Sequence, residues 1–258
     1  EYCAAASALI EGDSTLTEQY WYLQHDTRQD QQDVIKFQNS YSSPVYDSAP
    51  DYMKEDFLFP YINGLEFVTG LHDAGGWEAV DAAFLNPPVS TEQILHPEKY
   101  PDDTPVVVDL PDLSSILDEG WEELDRNVMG EWYSYLILAK GRSSQFKMDD
   151  EDSRTAAAGW GGDSYVFYSP VDSKDYLFAW RSNWETGQDM DEFFNQAREY
   201  GLARWGIPVS NSSTVVTWES DADGVITMRR NGNDVLWLMG SSNATIKEAL
   251  RLLEDFGS

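Results

Sequence analysis

The sequence predicts an α+β protein, with a helical first part followed by a mixed region of strands and helices. Two observations carry this reading. Residues 4–24 combine high helix propensity with Leu9, Leu16, Tyr20 and Leu23 at helical spacing. Beyond Pro105, short runs of β-branched and aromatic residues alternate with amphipathic stretches and turn signals.

In the first part, a second helix is predicted over Arg28–Asn39. After the turn-rich 40–50 stretch, Met53–Phe57 and, past Pro60, Leu65–His72 read as further helical pieces, stopped by Gly75-Gly76. Trp77–Phe84 reads as a short helix ended by Pro87-Pro88, and Ser90-Thr91-Glu92-Gln93 as a capped turn running into Ile94, Leu95 and His96.

In the second part, Val106-Val107-Val108 is a strand candidate and Gly130–Lys140 an apolar helix. Strands are expected at Tyr165–Tyr168, Tyr176–Trp180, Val215–Trp218, Val225–Arg229 and Val235–Met239. Helices are expected at Asp189–Tyr200 and Ala244–Phe256. Asp221-Ala222-Asp223-Gly224 and Asn231-Gly232 fit hairpin turns. The expected division is 1–110 and 111–258, with a soft boundary near Asp109–Glu119.

Composition narrows the function. The 258 residues contain ten Trp and fourteen Tyr, with 41% hydrophobic residues, enough to fill a sizeable core. Forty-six acidic residues against seventeen basic give a formal net charge of −29, a field that repels phosphate backbones and anionic membranes. Nucleic acid is therefore excluded as a partner. Such a surface suits an extracellular or high-salt setting. One cysteine, Cys3, forbids an internal disulfide, and no apolar run reaches the ~20 residues that span a bilayer. The opening residues read as the middle of a helix, so the start is expected to be a cut or processed end. Asn211-Ser212-Ser213 and Asn243-Ala244-Thr245 match the N-glycosylation acceptor pattern.

Three polar motifs stand out. Glu11-Gly12-Asp13 interrupts a good helix with a glycine that costs about 1 kcal/mol relative to Ala, which argues for close packing against another element. Its two carboxylates, two positions apart, point about 200° apart and cannot serve one small site from the same face. Phe59-Pro60-Tyr61-Ile62-Asn63-Gly64-Leu65-Glu66-Phe67-Val68 leads to Gly75-Gly76-Trp77. Finally, residues 86–100 read Asn-Pro-Pro-Val-Ser-Thr-Glu-Gln-Ile-Leu-His-Pro-Glu-Lys-Tyr. Rigid corners of this kind either position a His or Tyr or bury polar groups against loop backbone.

In this order the motifs resemble a family of prokaryotic secreted proteins and lipoproteins with a gluzincin-like zinc metallopeptidase domain. The resemblance covers residues 1–110 and continues loosely through 159–163 and 180–186. It implies the C-terminal, zincin-like part of such a domain. In that family a helix bearing His-Glu-x-x-His precedes the Glu-Gly-Asp helix and supplies two zinc ligands and the general base. The resemblance makes Glu11 the third zinc ligand and Asp13 a partner that orients it. From their residue types, His96 and Tyr100 could donate to a developing oxyanion.

The chain departs from the pattern where activity is decided. Its histidines are His25, His72 and His96, and none belongs to His-Glu-x-x-His. His25 lies roughly 21 Å from Glu11 along an unbroken helix. Zinc is thus expected only with an upstream His-Glu-x-x-His segment, which would be a fragment of the same precursor. Without it the expectation is a scaffold inactive by itself: the downstream part of a secreted or cell-surface metallopeptidase-like protein. The alternative is a non-catalytic extracellular structural or binding protein, a pseudoenzyme on a degenerate scaffold.

Overall fold

A computed structural model describes residues 1–141 and 145–256 and shows an α+β protein in two compact units, Glu1–Asp103 and Thr104–Ser258. The first is all helical: α1 (Tyr2–His25), α2 (Arg28–Ser40), α3 (Pro44–Asp47), α4 (Asp51–Leu85) and α5 (Thr91–Leu95). Helix α1 packs along α4, burying Ala5, Ala8, Leu9 and Leu16 on its own side and Phe59, Phe67 and Val68 on the other helix.

Sequence punctuation misled at α4. Pro60 sits inside the helix, which continues through it from 51 to 85. An interior proline costs about 3 kcal/mol in an isolated helix, but Phe59 and the residues after it are held against α1, and that packing overrides propensity. Gly75 and Gly76 do leave helical geometry, Gly76 at φ 66°, yet the chain resumes the helix at once. The expected stop is a kink, and Trp77–Phe84 is its continuation. Helix α3 falls in the stretch expected to be turns.

The second unit is built on a seven-stranded antiparallel sheet in the order β1-β2-β3-β7-β6-β5-β4. Its strands are β1 (Trp121–Asn127), β2 (Trp160–Pro170), β3 (Leu177–Trp184), β4 (Ser210–Asn211), β5 (Val215–Ser220), β6 (Gly224–Asn231) and β7 (Asp234–Gly240). Around it lie α6 (Gly130–Ala139), α7 (Asp150–Ala157), α8 (Gly187–Trp205) and α9 (Asn243–Leu252). Side-chain alternation gives the sheet two buried faces. On β7, Val235 and Trp237 join a core with Trp180, Trp184, Phe193, Phe194 and Leu138. Leu236 and Leu238 join the opposite core with Val166, Leu177, Ile246 and Ala249. The hairpins at 221–224 and 231–232 form as expected, with Gly224 and Gly232 at positive φ.

Two expectations fail here, and some elements form that the sequence did not announce. Residues 106–108 form no strand: Val106 N–H donates a single backbone bond to the Gly161 carbonyl, 2.8 Å, and Val107 is almost fully exposed. The apolar run lacks a ladder partner. Strand β1 and helix α7 were not expected. β1 reads Trp-Glu-Glu-Leu-Asp-Arg-Asn because it is a sheet edge facing solvent, where charged residues discourage pairing with another chain. The predicted last helix ends early, at Leu252, and Glu254–Phe256 forms a tight 3₁₀ turn instead.

Candidate functional site

In the first unit the Glu11-Gly12-Asp13 motif lies where α1 crosses α4. Gly12 is buried, and a Cβ added to it would collide with the Gly64 carbonyl; one added to Gly64 would collide with the Ala8 carbonyl. The two backbones therefore touch, and only glycine fits on either side. This contact fixes the height and rotation of α1, and with them the flanking carboxylates. Glu11 is half-buried, and among the described residues its carboxylate meets no hydrogen-bond or ion-pair partner. Asp13 faces elsewhere. Partial burial, reinforced by the charge of Asp81, raises its pKa above the ordinary carboxylate value.

The block after α4 folds into a buried polar corner. Ser90 caps α5, its hydroxyl accepting from Gln93 N–H at 3.2 Å; Ser90, Thr91, Glu92 and Gln93 are all buried. Several of their polar groups are engaged by neighbours in the same unit. Thr91 N–H and its hydroxyl donate to the Glu1 carboxylate. Gln93 accepts from Val89 N–H at 2.8 Å and donates to the Asp103 carbonyl at 2.5 Å, and Lys99 Nζ reaches Glu92 at 2.7 Å. Tyr100 donates its hydroxyl proton to the Asn86 carbonyl, 2.7 Å, with its ring edge-on to Phe67. His96 follows α5, its Nδ1 3.8 Å from Glu98. The corner thus uses Tyr100 as a strut between the end of α4 and the following loop. Replacing Tyr100 with Phe removes one hydrogen bond and keeps the ring; the expected cost is about 1 kcal/mol, read from the shift of a urea denaturation midpoint at unchanged slope.

The histidines are dispersed. His72 packs between Tyr20 and Trp77, ring centroids 5.1 and 4.8 Å away, beside the Gly75-Gly76 kink. His25 closes α1 next to Trp21. Among the described residues no grouping of three potential ligands contains a histidine, Glu11 or Asp13. Glu11 offers one ligand of the three that a catalytic zinc site requires, so the residues present do not by themselves fit the ion, and no catalytic step is assigned to it.

The second unit holds a buried acid that the sequence did not mark. Asp163 on β2 is 3% exposed. Its carboxylate accepts from Met129 N–H, Gly130 N–H and the Trp160 indole, each at 2.8 Å, and so caps the first turn of α6 from another element. Burial raises its pKa to about 6, against the lowering effect of those bonds. In Trp160-Gly161-Gly162-Asp163 nothing local in the sequence announces that the aspartate points inward. Enclosed on all sides by its donors, this carboxyl holds a helix in place. Nearby, Tyr135 donates to Asp150 at 2.7 Å, and Lys140 and Arg154 pair with the same carboxylate, holding it down to about 2.

A family profile described as a domain of unknown function (DUF8575) matches residues 117–250, which lie wholly in the second unit. No curated protein and no solved structure matches the chain.

Proposed function

We propose that this chain, which belongs to the DUF8575 family, is the downstream part of a secreted or cell-surface protein of zinc-metallopeptidase lineage, inactive without a metal-binding helix from another segment. The observation that carries this reading is the state of Glu11. Glu11 is half-buried and, among the described residues, its carboxylate has no protein partner, so it stays open to a ligand supplied from another segment. Its backbone is fixed, one residue from a backbone-to-backbone helix crossing that only Gly12 and Gly64 permit. Preorganised side chains on packed helices are how sites of this kind are built. Ile10, its neighbour in sequence, is 52% exposed and would be covered by an adjoining helix. The fold of residues 86–100, which carry the family likeness, braces the crossing through contacts of α5 with both α1 and α4.

The acidic surface, with nineteen carboxylates against Arg28, Lys36, Lys54 and Lys99 in the first 103 residues, suits an extracellular protein and repels nucleic acid. The DUF8575 region then serves as a separately folded companion to the helical unit.

Mass spectrometry of the protein isolated from its natural source tests the proposal. A peptide containing His-Glu-x-x-His, on the same polypeptide or co-purifying with it, is the expected result. A mature protein that contains and binds no such segment would overturn it.

One observation favours a second reading, a binding or assembly role without metal. Helix α2 buries none of its 13 residues, yet shows Val34, Ile35 and Phe37. A helix of this length is marginal in water without packing. A cationic amphipathic helix would match both the apolar stripe and the surrounding charge. Stoichiometric zinc in the natural protein would argue against this reading.

A further inference from the structure

The two glycosylation-type sequences lie in contrasting environments. Asn211 ends the two-residue edge strand β4, and it, Ser212 and Ser213 are exposed. The turn that follows is closed by its neighbour: Ser212 N–H donates to the Val215 carbonyl at 2.8 Å, and its hydroxyl accepts from Val215 N–H at 3.0 Å. Among the described residues neither the Asn211 amide nor the Ser213 hydroxyl has a hydrogen-bond partner. In the second sequence both the asparagine amide nitrogen and the threonine hydroxyl are engaged. Asn243 is the first residue of α9 and donates to Glu219 at 2.8 Å. Thr245 N–H donates to the Ser242 cap at 3.1 Å, and the two hydroxyls lie 2.9 Å apart.

We propose that Asn211 is an N-glycan acceptor in the folded protein and that Asn243 is not. The donor would be an oligosaccharide carried on a polyprenyl phosphate. In the transfer, a bond forms between Asn211 Nδ2 and the anomeric carbon. The bond from that carbon to the phosphate oxygen breaks, the phosphate leaves with its electron pair, and the amide proton passes to a base of the transferase. The enzyme must reach the amide and the hydroxyl two residues on in one extended segment. At 211–213 both groups are exposed and without partners among the described residues, and only the surface turn closed by Ser212 and Val215 has to yield. At 243–245 the first turn of α9 has to open and its cap be lost, which alone lowers the reactive population about tenfold. A glycan at Asn211 would also shield the open edge of the sheet, where β4 has a neighbour on one side only.

The inference uses the extracellular part of the proposed function, but its test does not depend on it. The folded chain is incubated with a purified oligosaccharyltransferase and lipid-linked oligosaccharide, and the tryptic peptides are mapped by mass. Glycan on the Asn211 peptide, absent in Asn211→Gln and Ser213→Ala and kept in Ser213→Thr, with Asn243 bare, is the expected result. Glycan on Asn243 with Asn211 bare, or no glycan on either, overturns it. Whether the natural protein is exposed outside the cell is read separately, by surface labelling, so failure of the localisation is distinct from failure of the acceptor.

Discussion

Gly64→Ala will destabilise the helical unit by about 2–3 kcal/mol, although Gly→Ala inside a helix ordinarily gains up to about 1 kcal/mol from propensity. The reason is steric. The new Cβ would overlap the Ala8 carbonyl on α1, a backbone atom that cannot swing aside as a flexible side chain would. The helices must move apart, and the apolar contacts of Leu9, Phe67 and Val68 loosen with them. Gly12→Ala acts on the same contact from the other side, against Gly64, so the double variant should cost less than the sum of the singles. Gly70 supplies the control. It lies on the same helix with open space around its Cβ position, so Gly70→Ala should gain roughly 0.5–1 kcal/mol. Urea denaturation followed by helical circular dichroism separates the cases; a Gly64→Ala protein as stable as Gly70→Ala would show that the crossing is not tight.

Asp163→Ala is the second large effect, about 3–5 kcal/mol, because it strips the acceptor from two backbone N–H groups and an indole in a dry interior. The same residue sets a pH dependence. Its pKa rises from the ordinary 3.8 to about 6 on folding, so between those values the folded state binds more protons than the unfolded one. Stability from this group is therefore fully present below pH 3.8 and lost as pH rises through about 6, on the order of 3 kcal/mol in all. Lower pH also relieves general repulsion in so acidic a chain, and that contribution is shared by any variant. The expected signature is a difference: between pH 4 and 6 the stability of the wild type falls more steeply with pH than that of Asp163→Asn. Parallel slopes would remove Asp163 as the titrating group. Asp163→Asn should also be less stable than the wild type, since its amide turns an N–H toward a donor.

Part of this was legible in the residues. A glycine in the middle of a strong helix costs free energy, and that cost pointed to a close neighbour for Gly12. The neighbour, Gly64, lay in a second motif already singled out, but pairing them required the tertiary fold. The strands of the second unit were found wherever β-branched and aromatic residues alternate, as in β5, β6 and β7. β1 escaped because an edge strand exposed to water is charged, and period-2 hydrophobicity is the only signal that a sequence offers for a half-buried strand. Pro60 and Gly75-Gly76 were read as ends because local cost is visible in a sequence and the packing that outweighs it is not.

The same limit applied to the site. Ser90, Thr91 and Glu92 look like solvent-facing cap residues, and the sequence does not reveal that a turn of helix will bury them. Asp163 follows two glycines, the usual mark of an exposed turn. Its inward direction comes from β2 pairing with β3 around a bulge at 160–162 and from α6 starting just beside it. Glu11, by contrast, was found through family likeness, and its half-buried, partnerless carboxylate is a property that likeness alone could not supply.

Zinc stoichiometry, measured by elemental mass spectrometry after dialysis, goes to the centre of the proposed function. On the proposed reading the natural protein carries or binds a His-Glu-x-x-His segment, so it should hold one equivalent and lose most of it in Glu11→Gln, while the 258-residue chain alone holds none. One equivalent on the chain alone, or a natural protein whose zinc is indifferent to Glu11→Gln, would contradict the proposal.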